Sequence, residues 1–397
     1  MKSTLLYLLM IAAFAGLPSC NKGPGTSEIK KVIKVPADVT DLSAAVGQAS
    51  DGTTIILSPG TYKANDIDIT KAITITSEWK DSGDVSKIDQ TIIDAQDQIL
   101  FNIKAAGAEI SGLRIIKGDH TMNITANTTI KYCHFDDNLD ALSFESGSGG
   151  YAGYNVITND RDDGMDMDIG SNKNNIGSDV TVEHNSISNS HDDGIEIRLY
   201  EAANQNIKYN IHDNIFTGSN NTGIQLISYD VYTGKVFQIH HNIFTKCKTG
   251  LGCMEGSNTK EDLTGATKMD ELVWLYNNTF VENQMGATGG NKVIAFNNIV
   301  LKNSLGGFKK FGPASVIKNN LFFGNGTPDL VENNPAVTAE GSINADPQLD
   351  AATFKPLTGS PCIDAGVAQV NAGNETMALL PESVSGKAPD LGAVELK

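Results

Sequence analysis

"YNIHDNIFTGSNNTGIQL" (residues 209–226) is followed by "FQIHHNIFTKCKTGLGCM" (237–254), and the two align on an Asn. Each alternates apolar and polar residues up to that Asn, alternates again after it, and reaches a Gly eight or nine positions later. The same frame fits "VTVEHNSISNSHDDGIEI" (180–197), "VWLYNNTFVENQMGATGG" (273–290) and "VIAFNNIVLKNSLGGFKK" (293–310). It places Asn155, Asn185, Asn214, Asn242, Asn278, Asn298 and Asn320 in one column. Two residues after each stands an apolar side chain: Ile157, Ile187, Phe216, Phe244, Phe280, Val300 and Phe322. Three before it there is usually another, as in Val182, Ile211, Ile239, Leu275 and Ile317. A period of two is the mark of a strand.

The repeating unit is therefore strand, Asn turn, short strand, Gly turn, strand, in about 20–36 residues. Such a unit cannot close a core alone and must stack on its copies. Stacked strands run parallel at ~4.8 Å, and the crossover rule makes the winding right-handed. The expectation is an all-β chain, a right-handed parallel β-helix, with the Asn column as a ladder of buried amides. "VTDLSAAVGQA" (39–49) carries Leu42, Ala45 and Val46 at helical spacing and reads as a short N-terminal capping helix. The plan is a leader over 1–19, a tether over 20–34, the β-helix over 35–345 and a closing segment over 346–397.

The leader "MKSTLLYLLMIAAFAGLPSC" has one Lys and an apolar run too short for a permanent membrane span. It reads as an export signal. Its end, Leu17-Pro18-Ser19-Cys20, resembles the lipobox of bacterial lipoproteins, which implies lipidation at Cys20 and an exported protein held at the outer membrane or cell surface. Membrane contact is then expected through that anchor only. Cys133, Cys247, Cys253 and Cys362 are scattered, with no CxxC pair, and read as buried thiols. A net charge of −17 gives no basic field for phosphates, which excludes a nucleic-acid partner. A monomer is expected.

"NDRDDGMDMDIG" (159–170) holds five aspartates in nine positions, and "HDDGIEIRLY" follows one unit later. Aligned on the Gly turn, Asp140, Asp163 and Asp193 share a column that continues in Thr222, and Asp162 and Asp192 form its neighbour. Past the Gly the outward positions are Ser143, Asp166, Glu196 and Gln225, then Glu145, Asp168, Arg198 and Ile227. Two carboxylates ~5 Å apart repel by ~3 kcal/mol at an effective dielectric of ~20. Protonation, salt bridges or a cation must answer that repulsion, and only Arg198 and Arg161 are near in sequence. A hard cation such as Ca²⁺, which takes six to eight oxygens, is one answer. A solvated acidic ridge is the other. Without a His/Cys cluster, zinc does not fit.

"DDGMD" (162–166), with an Asp one unit earlier, resembles the calcium site of the β-helix pectate lyases of polysaccharide lyase family nine. The resemblance implies Asp140, Asp162, Asp163 and Asp166 as Ca²⁺ ligands and β-elimination on an acidic, uronate-containing polysaccharide. The family's basic Lys has no counterpart, since that place reads Gly194-Ile195-Glu196; Lys309 in "GGFKKFG" stands some five windings further on, ~24 Å away. Other β-helix pectate lyases use an Arg as base, which by resemblance points to Arg198, although arginine scarcely deprotonates. Its other role is pairing with Asp166 or Asp168. Asp163 with Asp192 and Asp193 also resembles the carboxylate set of β-helix polygalacturonases, implying inverting hydrolysis, but that group's Gly-His-Gly and Arg-Ile-Lys motifs are missing. A non-catalytic glycan-binding lipoprotein is the third reading.

The insertions at 171–179, 201–208, 228–236 and 256–271 all leave the unit just after the acidic strand. Insertions on one face of a repeat build binding walls. This one brings Tyr200, Tyr229 and Tyr232 with Lys173, Lys208 and Lys235, side chains suited to an acidic glycan. His191 reads as a residue that shapes the turn.

Overall fold

A computed structural model describes residues 32–396, apart from 173–174, 176, 201–206, 230–231, 257–267, 327–328 and 381–383. The leader, Cys20 and Lys173 lie outside the described residues. Among the latter, the chain winds through three parallel sheets of thirteen, eleven and eleven strands. One winding shows the plan. Val180–Glu183 lies in the first sheet, Ser186–Ser188 in the second and Ile195–Leu199 in the third, and Lys208–His212 then re-enters the first sheet beside Val180–Glu183. The fold is the right-handed parallel β-helix that the repeat demands.

Alternation fills the bore. Phe216, Phe244 and Phe280 stack at 4.9 and 4.8 Å, nearly parallel, because identical register repeats identical rotamers. The Asn column is a ladder: from Asn185 to Asn320, each Oδ1 accepts the backbone N–H and the Nδ2 of the Asn one winding earlier, at 2.9–3.1 Å. The residue before each ladder Asn is left-handed, with φ of 50–57° at Tyr154, His184, Asp213, His241, Asn277, Asn297 and Asn319. That conformation turns its side chain out of the bore while the ladder Asn turns in. Cys133, Cys247, Cys253 and Cys362 are free and buried.

The helix Leu42–Gln48 is capped by Asp41, whose side chain accepts the Ala44 N–H at 2.7 Å, and it buries Leu42, Ala45 and Val46. The first strand, Val32–Val35, starts inside the stretch expected as tether and pairs with Thr54–Leu57. The tail folds back along the flank of the late windings. There the left-handed column reads Asn277, Asn297 and Asn319, and their Nδ2 groups donate to the carbonyls of Asp390, Val367 and Ala365 at 2.8, 3.0 and 2.8 Å. Cys362 and Leu391 pack there on Ile299, Leu301 and Leu321.

Candidate functional site

The acid motifs meet where the second sheet turns into the third. Asp163 N–H donates to Asp140 Oδ1 at 3.1 Å, Asp193 N–H to Asp163 Oδ1 at 2.8 Å, and Thr222 N–H to Asp193 Oδ1 at 2.7 Å. The Asp140–Asp163–Asp193–Thr222 column is thus a second ladder, built of carboxylates and running opposite to the amide one. In the third sheet Ser143, Asp166, Glu196 and Gln225 stand in strict register. These side chains are buried, not an open ridge: Asp163 is 5% exposed, Asp166 and Glu196 8% each, and Asp193 is fully covered. Asp162, Asp192 and Asp168 are half-buried around them.

Arg198 lies across this patch. It meets Asp166 at 3.0 Å and Asp168 at 3.2 Å, and pairs with Glu196. Burial works against its charge, but Asp166, Glu196 and Asp168 outweigh burial and hold its proton more firmly than usual. One guanidinium leaves the patch short of positive charge. Burial, then Asp193 and Glu196, raise Asp163 well above the carboxylate range. Burial, then Asp192, does the same for Asp193, against donors from Thr222 and Gln225. Asp166 is pushed up to about 7, by burial and then Asp168. Glu196 rises to about 8, by burial and then Asp166, against the pull of Arg198.

Two sets of carboxylates converge: Asp162, Asp163 and Asp192, and Asp163, Asp166 and Glu196, with the ligand oxygens of each set within 4.8 Å of one another. Oxygens bound at ~2.3–2.6 Å to one Ca²⁺ lie within about 5 Å of each other, so either set fits a hard, oxygen-liganded cation. The second set is the stronger sign, because all three of its carboxylates are buried and one guanidinium, on Asp166 and Glu196, is too little charge for them. Asp140, expected as a ligand, is in neither set. Its Oδ2 is paired with His120 Nδ1 at 2.6 Å and its Oδ1 holds the Asp163 N–H. Glu196 and Asp192 enter instead.

His120 was not expected at the site. It bridges in parallel to Asp140 one winding later, and that hydrogen bond raises its imidazole to about 9 despite burial. Carrying the acid column one winding further toward the N-terminus would have found it.

On the far edge of the third sheet, Tyr200 and Tyr229 stack at 5.2 Å, 10° from parallel, and the Tyr200 hydroxyl reaches toward Asp168 Oδ2 at 3.5 Å. Tyr229 lies over the backbone of Gly256, where a Cβ would come within 2.4 Å of the ring. Tyr232 is 71% exposed. Lys208 stands exposed at the start of the next first-sheet strand, with its backbone N–H on Asp179. Lys235, expected on this wall, is buried instead: its Nζ donates to the Ile169 carbonyl at 2.8 Å, and burial lowers its ammonium to about 8. This lysine lies beneath the acidic strand's end, where it braces the residue after Asp168.

No family model matches the chain, and no curated protein matches it by sequence. Solved structures share the architecture. The catalytic unit of a GH87 α-1,3-glucanase from Streptomyces thermodiastaticus strain HF3-3 is 12% identical with a TM-score of 0.49, over 77% of this chain and 65% of that one. The chain thus spans a little under two thirds of that catalytic unit. Pectate lyase Pel9A is 15% identical with a TM-score of 0.38, over 93% and 97% of the two chains. A PL6 family polysaccharide lyase from Pseudopedobacter saltans is 11% identical with a TM-score of 0.38, over 91% and 99%. At such identities the likeness is one of winding, and no activity is carried over from it.

Proposed function

We propose that this chain is a carbohydrate-active β-helix protein that cleaves an acidic, uronate-containing glycan by β-elimination at the carboxylate cluster. The observation that carries the reading is the convergence of Asp163, Asp166 and Glu196 oxygens within 4.8 Å in a buried patch with a single guanidinium. That set would hold a divalent cation of the calcium type. When bound, such an ion neutralises a uronate carboxylate and acidifies the neighbouring proton. Arg198 fixes Asp166, Asp168 and Glu196 in place and balances their charge; three carboxylates on its guanidinium argue against a role as proton acceptor. Asp192, half-buried at the mouth, takes the proton. Asp193, fully covered, ties the turn to the next winding through Thr222 and Gln225. The stacked Tyr200 and Tyr229 border the groove and orient the sugar.

Inverting hydrolysis by the same aspartates fits less well. It needs carboxyl groups roughly 6.5–9.5 Å apart to admit a water, whereas ligand oxygens of Asp163 and Asp192 lie within 4.8 Å of each other and Asp193 is fully covered. The test is turnover on polygalacturonate, alginate and related polyuronates with and without chelator. The expected result is an ultraviolet-absorbing unsaturated product that disappears with chelator and returns with Ca²⁺. Reducing ends without that absorbance would establish hydrolysis instead, and binding without either product would leave a glycan-binding protein.

The same proposal places the protein outside the cytoplasm, tethered through a lipid on Cys20 and acting as a monomer. No helix among the described residues is long and apolar enough to cross a membrane. Labelled fatty acid should enter the wild type and not Cys20→Ala when each is expressed in a bacterial host; equal labelling would remove the anchor.

A further inference from the structure

Two windings beyond Asp192 the same turn changes sign. An open pocket of about 320 Å³ lies there, lined by Lys246, Lys248 and Lys302 with Asn220, Ser304 and one acid, Glu282. The chain has 47 Asp and Glu against 30 Lys and Arg, so three lysines facing one cavity run against its composition. None of the three has an ion-pair partner among the described residues, whereas Lys80, Lys104, Lys131, Lys292 and Lys318 each hold a carboxylate. Lys246 and Lys302 are in left-handed backbone, with φ of 59° and 52°, which turns both side chains outward on one ridge. At ~4.8 Å per winding, the three lysines lie about 10–19 Å along the axis from the Asp192 turn.

We infer that this pocket is an anion subsite, which takes the carboxylates of a polyuronate chain lying along the helix axis while another of its units sits at the acidic cluster. The inference rests on the proposed function for its substrate class. The two ends would then recognise the same group by different means. At the acidic end a carboxylate needs a bridging cation. At the basic end ammonium groups meet it directly, as flexible point charges tolerant of sugar orientation. A polymer longer than the cluster gains from both, and a neutral glycan gains from neither.

The test measures retention of the protein in gels containing polygalacturonate or alginate, with dextran as the neutral control and chelator throughout. Chelator removes any cation-mediated contact. Retention therefore reports on the pocket even if no turnover is ever found. Lys246→Gln/Lys248→Gln/Lys302→Gln should weaken retention by roughly tenfold, a few-fold per exposed charge pair, with dextran migration unchanged. A matched triple elsewhere, Lys63→Gln/Lys117→Gln/Lys387→Gln, should leave it intact. Higher salt should erase the difference. Equal weakening by both triples would mean only net charge acts, and overturns the subsite. So does wild-type retention in the pocket triple, or no retention of wild type by either polyuronate.

Discussion

Asp163→Asn is expected to lose divalent-cation binding by roughly 100-fold or more and turnover with it, while leaving the chelated protein at least as stable as wild type. The two effects separate because Asp163 has two jobs. Its Oδ1 accepts the Asp193 N–H at 2.8 Å, and an amide oxygen serves there as well. Its charge belongs to both convergent sets, and an amide removes it. Burial, Asp193 and Glu196 all raise this carboxyl, so ionising it costs folding free energy. The sign follows. A carboxyl raised in the folded state contributes stability below its unfolded value, about 4, and loses that contribution as pH climbs toward the folded value. With Asp166 at about 7 and Glu196 at about 8, chelated wild type should melt progressively lower between pH 4 and pH 8. Asp163→Asn should flatten that slope. Calcium should restore the wild type by up to about 2.7 kcal/mol at a hundredfold excess over Kd, and leave the variant unmoved. Thermal melts across pH, with and without Ca²⁺, check all three. A variant stabilised by Ca²⁺ as strongly as wild type would remove the cluster as the binding site. Alanine is the poorer choice, because it also orphans the Asp193 N–H.

Asn242→Ala should be the most destabilising change to a single polar side chain in the bore. Asn242 is fully buried, accepts the Asn214 N–H and Nδ2 at 3.0 Å each, and donates to Ile211 O at 2.8 Å. Alanine leaves a buried N–H and a buried carbonyl without partners, at about 1–3 kcal/mol each. A loss of about 2–5 kcal/mol is therefore expected, read as a lower denaturant midpoint. Because each winding is held chiefly by its neighbours, the damage should weaken both adjacent interfaces. Asn291→Ala, outside the ladder, is the control. A midpoint shared by the two variants would show that the ladder contributes nothing beyond packing.

The ladder was legible because its cause is local and repeated. Each winding needs the same inward amide at the same turn, so one column recurs from Asn155 to Asn320. The same register carried the carboxylate column, and its neighbours fell where alternation puts them. What failed to show in the sequence depends on contacts between segments. Nothing local to "YTGKV" says that Lys235 will fold under the Ile169 carbonyl. His120 pairs with Asp140 from the winding before it, one step short of where the acid column was followed. The depth of the patch was not legible either: alternation tells in from out, but Arg198 and the neighbouring segments make an outward residue such as Glu196 a buried one.

The doubled asparagines Asn277-Asn278, Asn297-Asn298 and Asn319-Asn320 divide their labour across the wall of the tube. The inner member of each spans windings, while the outer member grips the returning tail by its carbonyls. A spring of stacked coils is weakest at a free end, where the last turn has a neighbour on one side only. Here a strap of chain crosses the outside of three turns and must be peeled away before they can unwind. These three doublets work as rivets, one for each turn the strap secures.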